Sequence, residues 1–142
     1  DEVDELYKYL TSDYKQGCWT YLDAYFKKGS GHLGFNMETE HKVIVNGSKK
    51  ELIGKSLPLE QSVGEDCFVS LNFNKQGLPM IKSNEDQYRQ GRNIYFYPPR
   101  NNTVAGFIAD ADGAILYCGW YPQDSNSVLG VFACAEGTPK NN

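Results

Sequence analysis

The stretch from Arg92 to Cys118, RNIYFYPPRNNTVAGFIADADGAILYC, constrains this chain most, because it spells successive strands together with the turns between them. Asn93 to Tyr97 is β-branched or aromatic at most positions, a composition that suits a pleated, half-buried surface. Pro98, Pro99 and the Asn101-Asn102 pair break that run, since proline cannot donate to a strand ladder and asparagine favours turns. Val104 to Ala109 resumes an apolar run, and Asp112-Gly113 turns the chain into Ala114 to Cys118. Two paired strands plus a third commit this half of the chain to an antiparallel sheet.

The remaining segments supply what such a sheet needs. Val3, Leu6, Tyr7 and Leu10 recur at helical spacing, so Asp1 to Leu10 reads as a short amphipathic helix with carboxylates at its start. A second helix is expected after Cys18: Thr20 caps it, Asp23 follows three residues on, Leu22, Tyr25 and Phe26 share a face, and Gly29 ends it. Lys42 to Val45 and Lys49 to Leu52 flank Asn46-Gly47, a strong two-residue hairpin signal. Cys67 to Phe73, a segment near Met80 and Val128 to Cys134 read as further strands. Trp120-Tyr121-Pro122 and the polar Gln123 to Ser127 read as a hairpin loop with exposed aromatics. The expected architecture is α+β: one domain over residues 1–142, with a central helix packed on a curved antiparallel sheet, an added N-terminal helix and a C-terminal hairpin.

At 142 residues and 40% apolar, the chain is long enough for one core and too short to suggest two. It contains no apolar run near the 18 residues that a membrane span needs. Asp1-Glu2-Val3-Asp4-Glu5 is too acidic for a signal peptide, so a secreted protein would be represented here by its mature chain. Cys18, Cys67, Cys118 and Cys134 form no C-x-x-C pair and have no histidine at zinc spacing, which argues against a metal site, and no cofactor is expected. Their even number suits a secreted, disulfide-bonded domain with three open connectivities. Two glycosylation triplets, Asn46-Gly47-Ser48 and Asn101-Asn102-Thr103, both fall at expected turns. Net charge is −4, which disfavours a phosphate-tracking surface; Lys27-Lys28 and Lys49-Lys50 read as solvated doublets. Ten tyrosines and seven phenylalanines suit base stacking, β-sheets and protein interfaces equally.

The wording of Arg92-Asn93-Ile94-Tyr95 followed by Gly106-Phe107-Ile108-Ala109-Asp110 and then a cysteine resembles the C-terminal core of the secreted fungal guanyl-preferring ribonucleases and ribotoxins. Upstream, Leu78-Pro79-Met80-Ile81 with Tyr88 and Gly91 looks like that family's Glu-aromatic-Pro strand and its following loop. Leu57-Pro58-Leu59 stands where the family has aromatic-Pro-His. The likeness covers roughly residues 57–118. Of the family's four catalytic positions only Arg92 keeps its residue, and the other three read Leu59, Gly77 and Asp110. A ribonuclease frame without its acid and base is similar to the RNase-like effectors secreted by powdery mildew fungi. Their aromatic-x-Cys element is replaced here by the longer Tyr14-Lys15-Gln16-Gly17-Cys18. The resemblance implies pairing of Cys18 with Cys118, leaving Cys67 with Cys134.

RNA cleavage beside guanine needs a base for the ribose hydroxyl, an acid for the leaving oxygen and a cation at the phosphate. Leu59 and Gly77 can move no proton, and an ionised Asp110 would repel the phosphodiester. Losing each acid or base costs a factor of about 10² to 10⁴, so no meaningful ribonuclease activity is expected. His32, in the Gly29-to-Gly34 connection, and His41, at the start of an apolar run, read as structural histidines. Arg92 reads either as a vestigial phosphate contact or as a partner for a strand-face carboxylate, and Trp120 and Tyr121 are candidates for a partner surface. The resemblance thus implies a non-catalytic, monomeric virulence or avirulence effector. It would be secreted by a fungal plant pathogen and delivered to the host cytoplasm, where it binds host plant proteins, with an immune receptor as reader and RNA as a weaker partner. Two alternatives stand beside it. An active ribonuclease with displaced groups would bring His32 or His41 to Arg92. An unrelated disulfide-stabilised extracellular binding module would show another strand order or cysteine pairing.

Overall fold

A computed structural model describes residues 2–13, 18–110, 113–121 and 130–131, with the backbone alone at 10, 12, 13, 18, 51, 52, 110, 130 and 131. One helix, α1 (Glu2–Asp13), precedes eight strands: β1 (Cys18–Lys28), β2 (Phe35–Asn46), β3 (Lys49–Pro58), β4 (Cys67–Ser70), β5 (Asn93–Tyr97), β6 (Thr103–Asp110), β7 (Gly113–Trp120) and β8 (Gly130–Val131). They form a single sheet in the order β3-β2-β1-β6-β7-β5-β4, with β8 beside β1. The α+β class stands in this coarse form.

The helix expected after Cys18 is instead strand β1. Thr20 and Phe26 are buried, and Leu22 and Ala24 pack against the core between them, so every second residue faces inward while Trp19, Tyr21 and Tyr25 alternate outward. This is strand periodicity, disguised because a threonine and an alanine occupy two of the four inward places. A register shift between Tyr21 and Tyr25 against β6 bends the strand there. The helix that packs on the sheet is α1, the one expected to be an accessory. Its buried stripe is Val3, Tyr7 and Thr11, whereas Leu6 is 54% exposed. The Tyr7 ring stacks on Phe73 at 4.0 Å and meets Phe107 of β6 edge-on at 5.7 Å. Further bonds fasten the helix: Tyr7 donates to the Gly77 carbonyl at 3.3 Å, Tyr88 donates to the Thr11 carbonyl at 3.2 Å, and Asp4 accepts the Phe73 amide at 3.0 Å. Burial holds the Tyr7 phenol far above its usual pKa, in its neutral, donating form.

The sheet is mixed, a second departure from expectation. β5 and β7 run parallel, because β6 occupies one edge of β7 as its antiparallel partner and leaves the other to β5; β1 and β8 run parallel too. The C-terminal hairpin is not formed as expected, since β8 pairs with β1 and not with β7; residues 122–129 and 132–142 of that expectation lie outside the described residues. The segment near Met80 makes isolated bridges, Val69 to Lys82 and Phe73 to Pro79, in place of a full strand. The Asn46-Gly47 hairpin and the strands from Asn93 to Trp120 lie where the turn residues put them. The Asp112-Gly113 turn falls partly outside the described residues, but Asp110 stands opposite Gly113.

Beyond Glu38, β2 leaves β1: their pairing spans only Tyr25–Lys28 against Phe35–Glu38, and Glu40 takes a left-handed φ of 57°. The β2–β3 ribbon therefore projects from the sheet, with Val43 64% and Val45 61% exposed among Lys42, Lys49, Lys50 and Lys55. Charged side chains of this kind blunt a free strand edge.

Candidate functional site

Because side chains alternate along a strand, burying one face of this sheet under α1 sends the other set of residues outward. Ile94, Phe96, Phe107, Leu116 and Cys118 point inward and are buried. The opposite face carries a run of half-buried rings across four strands. Phe68 of β4 meets Tyr95 of β5 at 4.9 Å, Tyr95 meets Tyr97 at 5.1 Å, and Tyr97 stacks on Tyr117 of β7 at 4.5 Å. Tyr117 meets Trp120 at 5.6 Å, and Trp120 in turn stacks on Trp19 of β1 at 4.8 Å and touches Tyr21 edge-on at 5.2 Å. β6 lies between β7 and β1, and the stack crosses it where Gly106 offers no side chain. Ring pairs of this geometry contribute about 0.5 to 1.5 kcal/mol each beyond their burial. Partial burial, with the neighbouring Tyr95 and Tyr117 phenols adding to it, raises the pKa of Tyr97.

A cavity opens at each end of the row. One, of about 250 Å³, lies among Phe68, Tyr88, Tyr95, Tyr97 and Ile115. The other, of about 260 Å³, is bounded by Trp19, Tyr117, Trp120, Tyr121 and Arg100, with Gly119 between them. Thr103 holds the turn that carries Arg100. Its fully buried hydroxyl accepts the Arg100 amide at 3.2 Å and shares its proton between the Cys118 and Arg100 carbonyls at 2.7 and 2.8 Å.

The positions that resemble a ribonuclease site are scattered. Leu59 is 4% exposed in the core, and its amide donates to the Phe35 carbonyl at 3.1 Å. Gly77 sits in a turn at φ 82°, a left-handed value that favours glycine for backbone reasons. Arg92 is exposed and pairs with Glu85 at 3.4 Å, a carboxylate in the preceding loop that Arg89 also approaches at 3.8 Å. Asp110 ends β6, with its side chain outside the described residues. Phe35 pairs with Lys28 near the Thr103 end of β6, so Leu59 and Asp110 stand about 20 Å apart along that strand. Arg92 and Asp110 share the opposite end of the sheet, about two strand spacings apart, or roughly 10 Å. Trp120 and Tyr121 do come together, around one cavity; Arg92 lies at a different place, beside Ser70 and Ser83.

The histidines have partners that sequence spacing concealed. His32 Nε2 bonds the Ser62 carbonyl at 2.8 Å. His41 bonds Asp23 through Nδ1 and through its amide, and its Nε2 lies 4.0 Å from Glu38. Gly54 makes room for the ring, since a Cβ there would come within 2.7 Å of Nε2. The bends in β1 and β2 create that acid–histidine cluster, which pins the base of the ribbon. From the strand order, His41 stands on the order of 20 Å or more from Arg92.

Cys118 is a fully buried free thiol and Cys67 a half-buried one. Cys18 pairs with Ala109, whereas Cys118 lies two strands away and about four residues further along, a separation near 15 Å against the 7 Å limit for a bridge. The Cys18–Cys118 pairing is therefore corrected. Cys134 lies outside the described residues, so the pairing with Cys67 has no described second partner. Burial raises the pKa of both described thiols, Cys118 strongly. No group of three or more histidine, cysteine or carboxylate side chains among the described residues could hold a metal ion, and no described helix is long and apolar enough to cross a membrane.

Trp19, Tyr21, Phe68, Tyr95, Tyr97, Tyr117 and Arg100 were not legible as one site. The signal was there as alternation: Trp19 and Tyr21, Tyr95 and Tyr97, and Ile115 and Tyr117 each stand two apart, on the same side of their strands. No family model, no curated protein and no solved structure matches this chain.

Proposed function

We propose that this chain acts by binding and not by catalysis, and that its outer sheet face docks a protein partner. The contiguous row of seven half-buried rings from Phe68 to Tyr21 on the face away from α1 carries this reading. Tyrosine and tryptophan give large contact area at low entropic cost and dominate interface hot spots. A strand of nucleic acid would stack on such rings as well, but its phosphates need cations. Among the described residues no lysine lines the cleft beside Arg100, and the chain as a whole carries −4.

The absence of a proton-transfer pair at the ribonuclease-like positions supports the non-catalytic half of the proposal. Leu59 and Gly77 cannot titrate, Arg92 is engaged by Glu85, and neither histidine lies near it. The likeness to RNase-like effectors gives the partner a setting: a host plant protein met after secretion by a fungal pathogen, with an immune receptor as reader. A binding module unrelated to ribonucleases is the second reading, favoured by the strand in place of the central helix and by the free thiol of Cys118. Both readings use the same face.

The test is a cleavage and binding assay of purified protein on single-stranded and ribosomal RNA, with Arg92→Ala and His41→Ala beside it and an active fungal ribonuclease as control. The proposal expects no turnover in any form. Hydrolysis that disappears in either variant would overturn it.

A further inference from the structure

The fold treats the two glycosylation triplets of this chain oppositely. In Asn101-Asn102-Thr103 the threonine is fully buried, its hydroxyl bonded to the Cys118 and Arg100 carbonyls at 2.7 and 2.8 Å, and the Asn101 side-chain oxygen accepts the Lys28 amide at 3.1 Å. Asn46-Gly47-Ser48 is exposed throughout, at the tip of the projecting β2–β3 ribbon. Gly47, at φ 65°, opens the two-residue turn, and a Cβ built on it would meet nothing within 4 Å. A transferase has to reach both the asparagine amide and the hydroxyl two residues on. Pairing of β6 hides the Thr103 hydroxyl, whereas the ribbon tip stays open after the chain has folded.

The same ribbon carries apolar surface without a cover among the described residues. Asn46 pairs with Lys49, Ile44 with Glu51 and Lys42 with Ile53, so Asn46, Ile44 and Ile53 occupy one face. Ile44 is 48% and Ile53 47% exposed. Ile44 stands about 7 Å from Asn46 along β2, and Ile53, opposite Lys42, about another 7 Å on. Residues 42–55 contain four lysines and one glutamate, which repel a second copy of the ribbon and leave a neutral body unopposed. A sugar ring is such a body: it lays its C–H face on an aliphatic side chain and keeps its hydroxyls in water.

We propose that Asn46 is a site of N-linked glycosylation and that the oligosaccharide covers the Ile44–Ile53 face of the ribbon. In the transfer, Nδ2 of Asn46 gives up a proton to a base of the transferase and bonds the anomeric carbon of an oligosaccharide carried on a lipid diphosphate. The bond from that carbon to the diphosphate oxygen breaks, and the lipid diphosphate leaves with its electron pair. The inference rests on the secreted setting proposed above. It leaves the ring row free, since that row runs over β4, β5, β7 and β1 and includes no ribbon residue. It also gives the free edge of β3 a bulk that keeps other strands from pairing there.

The test is secretion of the full chain by yeast behind a yeast leader, followed by glycan release with peptide N-glycosidase in heavy-oxygen water, which labels each asparagine that held sugar. Peptide mapping should find the label at Asn46 in most molecules. Asn46→Gln and Ser48→Ala should each abolish it, with the far-ultraviolet circular dichroism unchanged. An unlabelled Asn46 overturns the site, whatever Asn101 carries. Because the leader supplies entry to the secretory pathway, that result counts against the site and not against the secreted setting. In methyl-labelled glycoprotein the Ile44 methyls should show nuclear Overhauser contacts to the first N-acetylglucosamine, and absence of those contacts overturns the cover. Glycosylated chain and Asn46→Gln should capture the same protein partners. Partners held only by the unglycosylated variant would put the glycan over the docking face and overturn its placement on the ribbon.

Discussion

Trp120 lies flat against the bare backbone of Gly106: a Cβ built on that glycine would stand 2.7 Å from Cε3 and 2.8 Å from Cζ3 of the indole. Gly106 belongs to β6, the strand that separates β7 from β1, so the missing side chain is what lets Trp120 reach across to Trp19 and Tyr21. The outer face is one continuous row because of this residue.

Gly106→Ala should therefore split the row while sparing the core on the other side of the sheet. The Thr20 carbonyl, 3.3 Å from the built Cβ, closes the other way out, so the indole has to move. Overpacking of this kind costs about 1 to 3 kcal/mol. The near-ultraviolet circular dichroism of the stacked tryptophans should collapse, with the far-ultraviolet spectrum retained. An unchanged tryptophan signal would show that the stack does not depend on this glycine.

The place of α1 gives a second expectation. Tyr7→Ala removes a ring buried between Phe73 and Phe107 and should lower unfolding stability by about 3 to 5 kcal/mol in denaturant titration. Tyr7→Phe, which keeps the ring and loses only the bond to the Gly77 carbonyl, should cost about 1 kcal/mol. Equal losses would mean that the hydroxyl, and not the packing, holds the helix.

The thiols predict both reactivity and pH dependence. Under native conditions an alkylating reagent should label Cys67 and leave Cys118 untouched until the protein unfolds, as read by peptide mass mapping. Burial raises the folded pKa of Cys118 and Tyr7 above their unfolded values of 9.0 and 10.0. Between the unfolded and folded values the unfolded chain holds fewer protons than the native one, so stability is fully present below about pH 9 and falls as pH rises. The slope should approach about 1.4 kcal/mol per pH unit for each group, and Cys118→Ala should weaken the first onset, leaving the smaller share of Cys67, whose pKa burial also raises. A flat profile to pH 11 would contradict the burial of both.

These relationships were unequally legible in the sequence. Asn93–Tyr97 and the runs after it announce themselves because proline, asparagine and glycine punctuate them locally, and Asn46-Gly47 does the same for the ribbon. β1 was obscure because Leu22, Tyr25 and Phe26 imitate helical spacing, while Thr20 and Ala24, the residues that reveal the two-residue period, are not strongly apolar. Nothing local encodes the parallel pairing of β5 with β7, which depends on which edge of β7 remains after β6 has paired. The aromatic face needs strand order as well as alternation, since Trp19 and Trp120 are a hundred residues apart and meet only through the sheet. Arg92 stood out through its resemblance to a catalytic position, whereas Arg100, which reaches the cleft, carried no such flag.

The most direct test of the account compares capture of proteins from plant leaf extract by the wild-type chain, by Tyr97→Ser combined with Trp120→Ser, and by Val45→Glu on the projecting ribbon. The account predicts that the partners held by the wild type and by Val45→Glu disappear with the ring variant, whose α1 and core remain folded. Retention of the same partners by the ring variant would contradict it.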